Sequence, residues 1–193
     1  MSRVILLAGP NGAGKSTCAR SLLHGLFQVD EFVNADVLAQ GLSAFDPESV
    51  AFEAGRIMLR RLRELAAAHA DFAFETTLAS RSFFPWLSKL AMQGYEVRIL
   101  YLYLSSPELA IARVLDRVRR GGHSIPDGTV RRRYDRGLLN FFSLYRALAV
   151  EWQFMDNDLA AAPSLVASGE RDRITRIDRP GTWQQLVQRY GNA

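Results

Sequence analysis

Nearly continuous apolar runs of strand length alternate along the chain with longer stretches whose apolar positions recur every three to four residues. The runs cover residues 4–8, 31–35, 72–75, 97–104 and 152–156, and their lack of polar alternation is what strands buried on both faces require. The helical period covers 15–26, 47–69, 83–93, 107–120 and 127–150. Several boundaries carry their own chemistry. Asp46-Pro47 and Ser106-Pro107 each set a capping side chain before a proline at the first helical position, where its missing N–H costs nothing, and Gly94 supplies a stop. This alternation predicts an α/β fold, a three-layer sandwich in which helices cover both faces of a parallel five-stranded sheet. After Asp156 the pattern changes. Ala160-Ala161-Ala162-Pro163 reads as a connector, 164–168 and 174–177 as two short strands, and 182–190 as a closing helix. The expectation is one unit over residues 1–193, carrying a small C-terminal hairpin appendage at about 157–193.

The first apolar run leads into Gly9-Pro10-Asn11-Gly12-Ala13-Gly14-Lys15-Ser16-Thr17, a full match to the P-loop (Walker A) pattern in its proper context, a strand before and a helix after. The glycines let successive backbone N–H groups point inward at phosphate oxygens, and the helix N-terminus adds partial positive charge. Lys15 is expected to reach the terminal phosphates and the Ser16 hydroxyl to ligate Mg2+. Binding of ATP or GTP with Mg2+ is thus the expectation for residues 9–17. The same loop occurs in transporter-type (ABC) ATPases. No LSGGQ signature and no apolar run ending in Asp-Glu accompanies it here, so that family is set aside.

If phosphate moves to an acceptor, the groups that position it belong at the C-terminal ends of the strands, beside the P-loop. Asp36 follows the second run and reads either as a base for a substrate hydroxyl or as a helix-cap residue before Val37-Leu38-Ala39. Glu75, Thr76 and Thr77 close the third run. Glu75 reads as a group that orients a metal-bound water or a substrate hydroxyl, or as an ion-pair partner at the sheet edge, and Arg81 is a further candidate substrate contact. Residues 113–136 are dense in arginine around Gly121-Gly122, with Arg113 and Arg117 on one helix face and Arg132 and Arg136 on another. Such a hinge fits a lid that closes guanidinium groups over phosphate. Arg117, Arg120 and Arg132 are the candidates, against the alternative that each only solvates a helix face. His123 reads as a hydrogen-bonding residue of the lid turn.

The formal charge is +4 and the sequence pI about 9.6. Lys15 and Lys89 are the only lysines, and no basic block is interleaved with aromatics, so nucleic acid is not the expected partner. Cys18 alone excludes an intrachain disulfide and suits a reducing compartment. No apolar run is long enough for a signal peptide or a membrane span, so a cytoplasmic protein is expected.

The loop 9–17, Asn34-Ala35-Asp36, Glu75-Thr76-Thr77, Gly94-Tyr95-Glu96-Val97, the Arg117 to Pro126 stretch with its Gly121-Gly122-His123, and Arg132-Arg133-Tyr134 together resemble the zeta-toxin family of P-loop kinases, and within it a small bacterial branch. The resemblance runs from about residue 3 to about residue 190. It implies a nucleotide-kinase-like fold and ATP-dependent phosphorylation of a small molecule, which in the larger toxins is a UDP-activated amino sugar. It also implies Asp36 as catalytic base, Glu75 and Thr77 as substrate contacts, lid arginines on phosphate (Arg117, Arg119 or Arg120 on one side and Arg132 or Arg133 on the other), and an antitoxin protein as partner. Two other functions fit parts of the sequence: a nucleotide-dependent switch acting through a macromolecule, and a polynucleotide 5'-kinase.

Overall fold

The computed structural model describes residues 1–122, 124–159 and 162–191, and of Leu26 the backbone only. His123 and the first two alanines of the connector lie outside the described residues. Strand β1 (Arg3–Ala8) is central, flanked by β3 (Phe72–Thr76) and β4 (Glu96–Tyr103). Short β2 (Glu31–Val33) lies beyond β3, and β5 (Glu151–Asp156) beyond β4, all five parallel. Residues 4–8 of β1 are wholly buried in succession, as are Phe72, Ala73 and Phe74 of β3, because helices cover both faces of the sheet. This accounts for the continuous apolar runs.

The C-terminal hairpin corrects one expectation. Strands β6 (Ser164–Glu170) and β7 (Arg173–Ile177) are not an appendage; β6 pairs antiparallel with β5 and β7 with β6, so one sheet runs β2-β3-β1-β4-β5-β6-β7. The join is aromatic. Trp152 of β5 stacks on Trp183 of the final helix α8 (Pro180–Tyr190) at 5.4 Å between centroids, and its indole N–H donates to the Arg171 carbonyl at 2.8 Å. Phe142, Phe154 and Trp183 pack around the same point. Burying large rings contributes about 1.5–3 kcal/mol apiece, enough to hold the hairpin against the core.

Helix α1 (Lys15–Arg20) runs into a π-helical turn, Ser21–Phe27. The second strand ends two residues early, and Asn34 caps a short helix, α2 (Ala35–Leu42), by accepting from the Asp36 and Val37 N–H groups. Helix α3 (Ala51–Ala67) begins after a turn at 47–50 instead of at Pro47. Helices α4 (Phe84–Met92) and α5 (Pro107–Arg119) lie where expected. The long final helical stretch is α6 (Asp127–Asn140), a π-helical turn (Phe141–Tyr145) and α7 (Arg146–Leu148). Two buried bonds tie α6 to the strand ends: the Tyr134 hydroxyl donates to the Leu104 carbonyl and the Asn140 amide to that of Leu78, each at 2.7 Å.

Candidate active site

The P-loop leaves β1 at Gly9, whose φ of +139° and position against β4 require glycine: a Cβ there would lie 2.2 Å from the Leu102 carbonyl oxygen. The loop is also held from the far side. The Asn157 amide, just past β5, donates to the Ala13 carbonyl at 2.8 Å. Lys15 is buried, and its ammonium donates to the Gly9 and Pro10 carbonyls at 2.9 and 2.8 Å. Burial pushes the Lys15 pKa below the ordinary lysine value, opposed by the charges of Glu75 and Asp36 and assisted by that of Arg117.

Glu75, at the end of β3, is the centre of the polar network. One oxygen stands 3.5 Å from the Lys15 nitrogen, and the other accepts from the Ser16 hydroxyl and the Asn34 amide at 2.7 Å each. Asn34 thus has two duties: its carbonyl oxygen caps α2 while its nitrogen bonds Glu75. The parallel pairing of β2 with β3 and β3 with β1 brings these ends together.

A cavity of about 510 Å³ opens above this network. Its lining includes Asn11, Gly12, Gly14 and Lys15 to Thr17 from the P-loop, Asp36 and Gln40 from α2, Glu75, Arg113, Asp116 and Arg117 from α5, and Arg120 just past its end. Asp36 and Gln40 are four residues apart on one face of α2. The cap of α2 is Asn34 and not Asp36, which corrects one of the two readings of that residue; Asp36 lies in the first turn and lines the cavity. Arg120 pairs with Asp116 one turn back at 2.8 Å.

The other candidates lie apart from this lining. The Thr76 and Thr77 hydroxyls accept from the Leu78 and Ala79 N–H groups and shape the turn after β3, in which Leu78 has φ of +54°. Arg81 donates to Asn140, and Arg132, exposed on α6, to Thr129. It is the neighbouring Arg133 that extends toward the P-loop, 3.4 Å from the Asn11 side-chain oxygen. Asn34, Gln40, Asp116 and Asn157 are the members of the site that no pattern in the sequence had assigned a role. Asn34 alone had a local signal, as a capping residue type before a helical stretch. Among the described residues no group of three or more His, Cys, Asp or Glu side chains could hold a metal ion. A Mg2+ held by Ser16 and by phosphate oxygens would not need such a group, and the exposed Ser16 hydroxyl beside Glu75 fits that role. No helix of the described residues is long and apolar enough to cross a membrane.

Comparison with known proteins agrees with this architecture. Residues 4–141 match the family described as AAA domain. An uncharacterized protein of Haemophilus influenzae is 29% identical over 133 residues, 69% of this chain and 93% of its own length. Among solved structures, a chain of the AvrRxo1-ORF1:AvrRxo1-ORF2 complex superposes with a TM-score of 0.72 at 15% identity, over 97% of this chain and 64% of its own, so this chain spans under two thirds of that relative. A chain of the PezAT chromosomal toxin-antitoxin system of Streptococcus pneumoniae gives 0.70 at 20% identity over 100% and 79%. Shikimate kinase from Acinetobacter baumannii gives 0.50 at 19% over 97% and 92%. At these identities the likeness is one of fold, the P-loop kinase-like α/β fold.

Proposed function

The chain belongs to the AAA domain family, and on that footing we propose that it is an ATP-dependent phosphotransferase that moves the γ-phosphate to a hydroxyl of a small molecule. The observation that carries this reading is a cavity lined together by a complete P-loop, by a carboxylate from a different element, Asp36, and by Arg113, Arg117 and Arg120.

When bound, ATP supplies the transferable phosphoryl group and Mg2+ neutralises charge on it. The loop from Gly9 to Thr17 would cradle the phosphates and Ser16 would hold the metal. Lys15 would exchange its carbonyl partners for phosphate oxygens. Asp36 would accept the proton of the acceptor hydroxyl, while Glu75 would keep Ser16 and Lys15 in place from behind. Arg117 and Arg120 would close over the γ-phosphate, with residues 113–136 acting as the lid. In this reading Arg132 moves inward on closure, and Thr76, Thr77 and Arg81 meet the acceptor's far end. The resemblance to zeta toxins favours a UDP-activated amino sugar as acceptor. The likeness to a chain of the PezAT toxin-antitoxin system supports an antitoxin protein as partner.

The test is a mass-spectrometric search for phosphorylated products from ATP and a metabolite mixture, run with the wild type and with Asp36→Asn. The reading expects a product that Asp36→Asn abolishes while ATP affinity stays within about threefold. Undiminished turnover in Asp36→Asn would remove Asp36 from the mechanism.

A further inference from the structure

Asn34 is the single residue between β2 and α2, and it is 5% exposed. The last pair of the β2–β3 ladder joins Val33 to Phe74, so Asn34 and Glu75 stand next in register. There a side chain takes over from the backbone: Asn34 Nδ2 donates to Glu75 Oε2 at 2.7 Å. The same nitrogen lies 3.3 Å from Ser16 Oγ, which itself donates to Glu75 Oε2 at 2.7 Å. The other end of the residue faces the helix. Asn34 Oδ1 accepts from the Asp36 N–H at 2.8 Å and the Val37 N–H at 3.3 Å, and its backbone carbonyl accepts from the Leu38 N–H at 3.1 Å. Three successive N–H groups in the first turn of α2 therefore lead back to Asn34.

A cap needs only an acceptor, and serine or aspartate serves there about as well as asparagine. What the cap does not explain is the donor. Asparagine keeps its oxygen on the helix while its N–H groups reach the opposite way, and a bond to a carboxylate is about twice as strong as one between neutral groups. Asp36 lies two residues along, its own N–H fastened to the Asn34 oxygen. One planar amide thus stands between the P-loop hydroxyl with its carboxylate partner on one side and the residue that carries Asp36 on the other. We propose that Asn34 is a positioning residue, whose amide fixes the start of α2 against Glu75 and Ser16 and so sets where the Asp36 carboxylate stands relative to the phosphate held by the P-loop. The proposal rests on the kinase reading above. In that step the acceptor oxygen bonds Pγ of ATP as the bond from Pγ to the β,γ-bridging oxygen breaks, ADP leaves with that electron pair, and the hydroxyl proton passes to Asp36. Asn34 touches none of the reacting atoms. Its effect is geometric, and a base misplaced by about 1 Å costs on the order of a hundredfold in rate.

The experiment separates the two ends of the side chain. Transfer from γ-labelled ATP is measured in a metabolite mixture with UDP-N-acetylglucosamine added, beside titration of a fluorescent ATP analogue and hydrogen exchange at the Asp36 and Val37 amides. Asn34→Ser keeps an acceptor for the helix, but its one hydroxyl cannot also reach Glu75. Turnover at saturating ATP should fall at least tenfold, while the amides stay protected and the KM for ATP and the analogue's affinity stay within about threefold. A polarity-reversed pair supplies the rescue. In Asn34→Asp/Glu75→Gln the carboxylate and the amide change places, so the bond re-forms in the opposite sense with the charge of the pair unchanged. That double variant should turn over at least tenfold faster than either of its single variants, the mark of a coupled pair. Turnover of Asn34→Ser reduced less than tenfold, or reduced only together with lost amide protection, or a reversed pair no faster than its faster single variant, overturns the proposal and leaves the kinase intact. Wild-type protein that labels nothing in the mixture overturns the kinase reading, and this proposal with it.

Discussion

The Glu75 carboxylate accepts the Ser16 hydroxyl at 2.7 Å with its one oxygen while its other stands 3.5 Å from the Lys15 ammonium. The end of β3 thus holds both chemical groups of the P-loop, the metal ligand and the phosphate cation, before any nucleotide arrives. Replacing Glu75 by Gln keeps the shape but weakens the attraction on Lys15 and makes one side-chain position a donor that Ser16 and Asn34 cannot both satisfy. Transfer should fall at least a hundredfold, about 2.7 kcal/mol in the transition state, with nucleotide affinity less affected. Single-turnover kinetics beside equilibrium nucleotide titration separates the two.

Lys15 is buried, and burial lowers its pKa, against the charges of Glu75 and Asp36. Only the protonated form attracts phosphate. Nucleotide affinity should therefore fall as pH rises into a range below the ordinary lysine value of about 10.4. Lys15→Met should remove both the affinity and that alkaline dependence. The fold should survive, because the methionine fills the same space and Glu75 keeps its bonds from Ser16 and Asn34. A thermal melt of the variant run alongside fluorescence titration of nucleotide against pH checks both statements.

How far this site was legible in the chain differs by element. The P-loop was complete in sequence because its chemistry is local, nine consecutive residues with glycine where φ is positive. The strands were legible because total burial imposes unbroken apolar runs. Helix α2 was read only in part: residues 34–35 extend the run of the second strand in sequence, whereas Asn34 ends that strand by capping the helix through the Asp36 and Val37 N–H groups. The place of the hairpin was hidden because what fixes it is long-range: β6 pairs antiparallel with β5, and Trp152 of β5 donates to the Arg171 carbonyl and stacks on Trp183 of α8. Asn157 gave no signal, since its contact with Ala13 spans 144 positions.

At Gly122 a Cβ would lie 2.7 Å from Arg117 Cγ and 3.0 Å from the Arg117 carbonyl oxygen. The backbone oxygen cannot move cheaply, so Gly122→Ala should displace Arg117 and the turn together. Overpacking of this kind costs about 1–3 kcal/mol, but here the segment lies at a cavity rim where it can yield. The loss should appear in kcat more than in stability. A melting temperature within a few degrees of wild type together with a tenfold lower kcat supports the placement, and an unchanged kcat refutes it.

Away from the site, Arg3 clamps Asp71 at the start of the central strands. Its Nε and Nη2 donate to one carboxylate oxygen at 2.8 and 2.6 Å, and its backbone N–H to the other at 2.7 Å. Partial burial would raise the Asp71 pKa, but the Arg3 hydrogen bonds and charge outweigh it and hold it below the usual carboxylate value. A depressed folded pKa means stability that is whole above the unfolded value of about 3.9 and is lost as pH falls through the folded one. Both side chains are about a third exposed, so solvent screening limits the contribution to about 1 kcal/mol. Urea denaturation of wild type and Asp71→Asn should show a gap near neutrality that closes at acid pH.

Two adjacent arginines of α6 give the sharpest test of which cations serve the lid. Arg132 is exposed and bonded to Thr129, whereas Arg133 is partly buried and stands 3.4 Å from the Asn11 oxygen of the P-loop. At that length the second contact is weak in itself, so its value lies in pointing the guanidinium at the loop before phosphate arrives. Bound phosphate offers a far better acceptor, and the charge-assisted bond would be about twice as strong as a neutral one. Arg133→Ala should then lower kcat/KM for ATP at least tenfold. Arg132→Ala should lower it less than threefold if closure leaves the helix as it stands. If closure instead turns α6 by part of a turn, the order reverses. Steady-state kinetics of the two single variants, measured against Arg131→Ala as a surface control, tells which face of α6 meets the nucleotide.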